Sequence, residues 1–317
     1  MNVRILVRIL IAGAFAAFLA CRTLVLAGTP EGKGTAAAIS SSAQVAFVDP
    51  RAVRLLNSAT SASDASPAIR LANISTRLAV GAGDNVLIAG FIVTGSQPKK
   101  ILVRALGPLL PVNENLADPT LELHDSSGGV VKNDNWRDTQ QEELKATTIP
   151  PINDYDSAIV RTLQPGAYTA VLAGKGGTTG VGVVEVYDLD ATVDSKLANI
   201  STRGRVDQGD NVLIAGTIVV GNGTTTVLFR ALGPSTNISN ALQDTTLELH
   251  DSQGGILATN DNWRDTQADA IQQTTIPPND PREAAILSSL NPGAYTAIVR
   301  GKGNTTGVAV VEAYQLN

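Results

Sequence analysis

The chain has 317 residues, of which 24 are basic and 29 acidic, and its formal net charge is −5. The basic residues form no stripe and do not alternate with aromatic side chains, which excludes a nucleic-acid surface that works by neutralising phosphates. A chain of this length suits two domains of ordinary size.

Residues 1–27 predict a secretory signal peptide. Arg4 and Arg8 precede an apolar run over residues 9–20, and Ala27 offers a small residue for cleavage. The run is shorter than the roughly 18 to 20 apolar residues that span a bilayer. We therefore expect a secreted protein, at the cell surface or in the extracellular space, and an uncleaved anchor is the minority alternative.

Cys21, the only cysteine, leaves a second alternative open. It follows Leu19 and Ala20, an order loosely like the motif of bacterial lipoproteins, although Leu19 is bulkier than that motif usually allows. A membrane is thus an expected partner only if Cys21 is lipidated. After cleavage at Ala27 the chain has no cysteine, so burial of a core must stabilise it without disulfides.

Residues 28–68 predict a flexible, low-complexity lead-in, because they are rich in Ala, Ser and Thr. Within them only "VAFV" at residues 45–48 is apolar. We interpret it as a local contact with the first domain, and the alternative is a strand that adds to a neighbouring molecule.

From Leu71 onward the sequence is duplicated. "LANISTR", "GDNVLIAG", "RALGP" and "TLELHDS" recur at an offset of 126, and "NDNWRDTQ", "TTIPP" and "PGAYTA" recur at 127 because Thr259 is inserted. One insertion in so long a repeat indicates two copies of a whole domain. We predict β-sandwich domains over residues 69–192 and 193–317, and we expect each to unfold cooperatively by itself.

Each copy has the period of a β-strand. "TLELHD" alternates Leu121 and Leu123 with polar side chains, and "NVLIAGFIV" is almost wholly apolar. Further strands are predicted over residues 101–106, 130–132, 157–162, 167–173 and 181–187, and turns rich in Gly, Pro, Asn and Asp separate them. The fold class is therefore all-β, with two tandem antiparallel β-sandwiches of jelly-roll-like type. One short helix is predicted after Asp138, which we interpret as its N-cap.

The order "LHDSSGGVVKNDNW" and then "SAIVRTLQPGAYTAVLAGKGGTTGVGVVEVY" resembles the bacterial pre-peptidase C-terminal type of β-sandwich. The chain is also similar to tandem repeats of large secreted bacterial proteins. The resemblance covers residues 71–317. It implies an accessory, non-catalytic extracellular module of a bacterial protein, although no peptidase domain accompanies the two copies here.

The residues for catalysis are sparse. His124 and His250 are the only histidines, and each precedes an Asp that must point to the opposite face of the strand. One histidine per copy cannot make a zinc site, which needs three or four His or Cys ligands. We interpret both histidines as exposed strand residues beside Glu122 and Glu248. Glu122 could instead form a carboxylate pair with Glu185 for glycoside cleavage, but we expect Glu122 to pair with Arg104 and Glu248 with Arg230.

The segment "NDNWRDTQ" occurs at residues 133–140 and 260–267 and carries the two tryptophans. Calcium needs six to eight oxygen ligands, largely from carboxylates. Its candidate ligands are Asp134, Asp138, Asp154 and Asp156 in the first copy and Asp261, Asp265, Asp280 and Glu283 in the second. Asn and Asp also serve turns and caps, and we favour that structural role. In either case we expect Trp136 and Trp263 to cap the open end of each sandwich.

The sequence thus predicts a non-catalytic, secreted or cell-surface structural and interaction module. Its expected partner is an extracellular protein or glycan, and no cofactor other than calcium is implied. The alternative is a carbohydrate-binding β-sandwich stabilised by calcium, which an aromatic content of 4% weakens because sugar platforms need exposed rings.

Overall fold

The computed structural model describes residues 68–316. The signal peptide and nearly all of the lead-in, including "VAFV", lie outside the described residues. The first copy contains eight strands and one helix: β1 (Arg70–Val80), β2 (Leu87–Thr94), β3 (Lys99–Leu106), β4 (Pro119–Asp125), β5 (Val130–Asn133), α1 (Gln141–Ala146), β6 (Ser157–Leu163), β7 (Gly166–Gly174) and β8 (Gly180–Asp188).

The second copy repeats this order. Its elements are β9 (Lys196–Val206), β10 (Leu213–Val220), β11 (Thr225–Leu232), β12 (Thr245–His250), β13 (Ile256–Asn260), α2 (Ala268–Gln273), β14 (Ala284–Leu290), β15 (Gly293–Gly301) and β16 (Gly307–Gln315). The predicted strands and the short helix are confirmed. The residue that precedes α1 is Gln140 and not Asp138, so the predicted N-cap is wrong.

All pairings between these strands are antiparallel. Apart from a single bridge between Leu71 of β1 and Leu197 of β9, which joins them, they form two sheets of eight strands. The first sheet has the order β6-β3-β8-β1-β10-β15-β12-β13. The second sheet has the order β14-β11-β16-β9-β2-β7-β4-β5. The two sheets face each other, with β4 against β3 and β6 in the first copy and β12 against β11 and β14 in the second. The all-β sandwich fold is therefore confirmed.

The first strand of each copy lies between the two copies. β1 pairs with β8 of its own copy on one side and with β10 of the other copy on the other side. β9 does the same with β16 and β2. The equivalent residues Thr76 and Thr202 are hydrogen-bonded through their hydroxyl groups at 2.8 Å. An approximate twofold axis therefore passes between them, and both sheets run through both copies.

The apolar core also extends through both copies. One cluster of buried apolar side chains takes Leu71, Phe91 and Ile101 from the first copy together with Leu197 and Phe229 from the second. The division at residues 192 and 193 marks the sequence repeat, whereas strand pairing and the core cross it. The extra residue of the second copy is accommodated as a bulge in β13, because the successive β12 residues Leu249 and His250 pair with Ala258 and Ile256.

Candidate functional site

Each "NDNWRDTQ" segment begins at the last residue of β5 or β13 and continues into the short helix. We call residues 133–149 and 260–276 the cover segments, because each lies over the outer face of a sheet. Trp136 and Leu144 pack with Leu102 and Val160, whereas Ile101 belongs to the central core. Successive residues of a strand point to opposite faces, so the cover segment lies on the face away from the core.

Both tryptophans are buried, with 3% of each exposed. The expected position at the open end of the sandwich is wrong, because the rings cover the outer face. The indole Nε1 of Trp136 donates to the Asn153 carbonyl at 3.1 Å, and that of Trp263 donates to the Asp280 carbonyl at 3.2 Å. The guanidinium of Arg137 lies 4.5 Å from the ring centre of Trp136. A ring with its nitrogen satisfied and one face under an arginine is not a free platform for a sugar.

The first and last residues of the repeated segment bind the backbone of an edge strand. Asn133 Oδ1 accepts the Ala158 N–H at 2.9 Å. Gln140 accepts the Val160 N–H at 3.1 Å and donates to its carbonyl at 2.9 Å. β6 pairs with β3 alone, so these backbone groups face the outer edge of the sheet.

The second copy makes the same contacts. Asn260 accepts the Ala285 N–H at 2.9 Å, and Gln267 accepts the Leu287 N–H at 3.0 Å and donates to the Leu287 carbonyl at 2.8 Å. An unpaired strand edge is a template for another strand, and native proteins cover such edges. The repeated segment thus covers the edges of β6 and β14.

The calcium candidates of the first copy have separate partners. The contacts are Asp134 with the Lys175 ammonium at 2.7 Å, Asp138 with the Asn135 amide at 3.1 Å, Asp154 with Arg137 at 2.6 Å, and Asp156 with the Gly107 N–H at 3.0 Å. Each carboxylate has a partner in a different part of the copy, and the second oxygen of Asp134 is buried without a hydrogen-bond partner. The structure does not bring these four together.

The candidates of the second copy are arranged likewise. The contacts are Asp261 with the Lys302 ammonium at 2.6 Å, Asp265 with the Asn262 amide at 3.0 Å, Asp280 with Arg282 at 2.9 Å, and Glu283 with the Gly233 and Ser235 N–H groups at 2.9 Å. Across residues 68–316, no group of three or more His, Cys, Asp or Glu side chains is arranged to hold a metal ion.

Sequence reasoning missed the lysines that stand beside these carboxylates. The Lys175 ammonium lies near Asp118 as well as Asp134, and Lys302 near Asp244 as well as Asp261. The hydrogen bond with Asp134 raises the pKa of Lys175, and Asp118 adds to the effect. The run "GKG" lies at the same spacing from "NDNW" in both copies, and that spacing is the signal that could have identified these lysines.

Asp156 and Glu283 occupy equivalent buried positions and bind the turn after "RAL". A Cβ on Gly107 would lie 2.0 Å from the Leu116 carbonyl oxygen, so this position requires glycine. Asp156 accepts the Gly107 N–H, which fixes the turn. Burial raises the pKa of Asp156 to about 6, against the opposing effect of that hydrogen bond.

A buried ion pair lies beneath each cover segment. Arg104 donates to Glu185, to the Ile149 carbonyl at 2.8 Å and to the Tyr187 hydroxyl at 3.0 Å. The second copy has the same set in Arg230, Glu312, the Ile276 carbonyl and Tyr314. The expected pairs of Arg104 with Glu122 and of Arg230 with Glu248 are wrong, because β3 and β11 lie in the opposite sheets from β4 and β12 and do not pair with them.

The histidines bind the glutamates expected beside them. His124 Nε2 lies 2.9 Å from Glu122, and His250 Nε2 lies 3.0 Å from Glu248. His124 is half-buried and His250 is buried, so the expectation that both are exposed is wrong. Glu185 is fully buried against Arg104 and lies in the other sheet from Glu122, so these two carboxylates do not flank one substrate.

A groove of about 660 Å³ lies where the two copies meet. Residues 77–79, 110–114 and 181 line it from the first copy and residues 210–212 from the second. Arg77 donates to the Asp210 carbonyl across it at 3.4 Å. Burial lowers the pKa of Arg77 in spite of the nearby charge of Asp210. The groove mixes charged, amide and apolar side chains.

No protein-family model and no curated protein matches this chain. A solved structure from the study "Life in the extremes: atomic structure of Sulfolobus Turreted Icosahedral Virus" is similar over 79% of this chain and 90% of that chain. Its sequence identity is 11% and its TM-score 0.21, values that identify neither the fold nor the function. Within residues 68–316, no helix has both the length and the apolar composition needed to cross a bilayer.

Proposed function

We propose that this chain is a non-catalytic structural and interaction module that works outside the cell, with an extracellular protein or glycan as its partner. The observation that carries the proposal is the use of "NDNWRDTQ". Asn133 and Gln140 bind a strand edge, Trp136 covers a sheet face, and the carboxylates pair with nearby cations and amides. The most strongly repeated polar residues therefore serve the fold.

The surroundings of the buried glutamates and of the histidines support the same proposal. A hydrolase needs a nucleophile or an activated water near a base that substrate can reach. Glu185 and Glu312 are buried in ion pairs with arginine, and each histidine is bound to a glutamate of its own strand. Two continuous sheets with a shared core also suit a stiff spacer.

The test uses the chain from Gly28 onward. A panel of ester, glycoside, peptide and phosphate substrates should give no turnover, and the protein should remain on washed cells of its source organism at physiological salt. Turnover that persists through purification and disappears in Glu122→Gln or His124→Ala would contradict the proposal. If the protein expressed by its source organism were found neither at the cell surface nor in the medium, that result would contradict the proposal that it works outside the cell.

Carbohydrate binding is the second candidate, and the groove between the copies favours it. Asn113, Glu114 and Asn211 offer polar groups beside Pro111 and Val112, a mixture that suits a saccharide with hydroxyl and apolar faces. A glycan array separates the two candidates. A specific hit that Asn113→Ala and Asn211→Ala abolish, without a change in melting temperature, would make this the primary function.

Calcium is tested by melting. Ligand that binds only the native state stabilises it by RT ln(1 + [L]/Kd), about 2.7 kcal/mol at a hundredfold excess over Kd. Because Asp134 and Asp261 are paired with lysines, we expect the same melting temperature in millimolar calcium and in chelator. A rise of several degrees that disappears in Asp134→Ala and Asp261→Ala would restore the calcium hypothesis.

A further inference from the structure

The two sheets have four edge strands in the described chain, and they are protected unequally. The cover segments bind the outer edges of β6 and β14. β5 carries Lys132, which binds Glu122. Charged side chains on an edge strand oppose the addition of another strand, so β5 is protected as well.

β13 differs from β5 at this point of the repeat. It has Thr259 opposite Glu248 where β5 has Lys132 opposite Glu122, and its five residues include no charge. Ile256 is 61% exposed and Leu257 is 50% exposed. β13 pairs with β12 alone among the described strands. The edge of β13 therefore presents an apolar pair and no charged side chain, and its only protection among the described residues is its short length and the bulge in its register with β12.

We propose that the outer edge of β13 binds residues 44–48 of the same chain as an added strand. These residues, "QVAFV", lie outside the described residues and carry no charge. In an extended conformation Val45 and Phe47 share one face and Ala46 and Val48 the other. Both faces are then apolar, which matches an edge that exposes Ile256 and Leu257 at successive positions. Backbone hydrogen bonds would give the affinity, as in other strand additions.

The connection is long enough. The described chain begins at Ala68, which lies against Gly221 after the end of β10, and β10 belongs to the same sheet as β13. Five strand spacings of about 4.8 Å place the added strand about 24 Å across the sheet from β1. The 19 residues from 49 to 67 span up to about 60 Å when extended.

A tethered segment has an advantage over a second molecule at this edge. A tether of this length gives an effective concentration on the order of millimolar. Pairing of β13 with β13 of a second copy would bring together two chains of formal net charge −5, which repel each other. The segment itself adds no charge to the edge.

The test is hydrogen exchange, measured by mass spectrometry on the monomeric chain from Gly28 onward. Residues 44–48 should exchange at least about tenfold more slowly than in the free peptide, because added strands open only by local unfolding. Ile256→Lys places a charge on the edge and should abolish this protection. Val130→Lys makes the same change at the equivalent position of β5 and should leave it intact, and the melting temperature of both variants checks their fold.

Three results would overturn the proposal. Residues 44–48 could exchange at the rate of the free peptide. They could be protected equally in the wild type and in Ile256→Lys, which would place them elsewhere. The wild type could be a dimer by light scattering that Ile256→Lys dissociates, which would make a second copy the occupant of the edge.

Discussion

Asp156 is a buried carboxyl group whose folded state favours the proton, because burial raises its pKa to about 6. The native state then binds more protons than the unfolded state between about pH 4 and pH 6, so the contribution of this group to stability falls as the pH rises. This contribution to stability is fully present below the pKa that Asp156 has in the unfolded chain. It is lost as the pH rises through the folded pKa of about 6. A shift of this size corresponds to about 3 kcal/mol at most.

We therefore predict that Asp156→Asn stabilises the protein at pH 7.5 relative to the wild type and has the opposite or no effect at pH 4.5. The asparagine oxygen can still accept the Gly107 N–H, which the carboxylate binds at 3.0 Å. Urea unfolding at the two pH values measures the difference. An equal free-energy difference between variant and wild type at both would show that Asp156 does not titrate in this range.

Gln267 is the second residue with a specific prediction. Its amide binds both backbone groups of Leu287 on the edge of β14. Gln267→Ala removes both partners at once, and we expect a loss of about 1 to 3 kcal/mol in the free energy of unfolding. Gln253→Ala in the exposed turn before β13 is the control and should change it by no more than about 0.5 kcal/mol. Equal effects of the two variants would contradict the edge-covering role.

The sequence identified these residues but not their partners. The repetition of "NDNWRDTQ" indicated that its side chains matter, and both calcium binding and capping were compatible with Asn and Asp. The actual partners of Asn133 and Gln140 are backbone groups of Ala158 and Val160. A backbone group has no signature in the sequence, and β6 lies about 20 residues farther along the chain, so spacing alone could not reveal the contact.

At the scale of elements, each cover segment acts through its tryptophan. Trp263 packs with Leu228, Ile271 and Ala285 on the outer face of the second sheet and is buried. We predict that Trp263→Ala costs about 3 to 5 kcal/mol, because a large buried ring is replaced by a cavity. Urea unfolding with an unchanged slope measures it.

Arg264→Ala is the matched control for this element. Its guanidinium lies 4.8 Å from the centre of the Trp263 ring and is exposed, and an exposed cation–π contact contributes about 0.5 to 1 kcal/mol. A Trp263→Ala protein as stable as Arg264→Ala would mean that the cover segment does not stabilise the sheet beneath it. If the Trp263→Ala protein had also lost binding to a glycan, that result would favour carbohydrate binding as the function.

The strand that sequence reasoning missed is the one that joins the copies. "LANISTR" is evident in the sequence only as a repeat, and Asn73, Ser75 and Thr76 break any alternation with apolar residues. In the structure these polar side chains are buried, because β1 is covered on both faces along nearly its whole length. Thr76 meets its counterpart in β9. A strand that is buried on both faces need not show the alternation of a half-exposed strand.

For the whole molecule, the pairing across the boundary changes what is expected of separate copies. The division into residues 69–192 and 193–317 stays a prediction. In isolation the first copy would expose the edge of β2, where Ala89 and Phe91 are fully buried in the intact chain. We predict that each half alone has a lower free energy of unfolding than the intact chain, and that mixing the halves restores it. Halves that unfold as cooperatively as the whole and do not associate would contradict this.

The approximate twofold axis also predicts where the chain can be reconnected. Gln315 Nε2 donates to the Ile69 carbonyl at 3.4 Å, so the end of β16 lies beside the start of β1. Residue 188 and residue 195 hold the equivalent places at the connection between the copies. Leu189 N–H donates to the Lys100 carbonyl and Leu316 N–H to the Thr226 carbonyl, each at 3.0 Å. Both junctions thus have the same geometry.

A circular permutant tests this symmetry. It would begin at residue 193, continue to residue 316, pass through an inserted copy of residues 190–194 to residue 69, and end at residue 189. Because the inserted connection matches the native one, we expect a monomer whose melting temperature lies within a few degrees of the chain over residues 69–317. The control is the same permutant with three residues fewer in the inserted connection, which is too short for the junction and should melt lower or dimerise. Equal melting of the two permutants, or failure of the first to fold, would show that the two junctions are not equivalent.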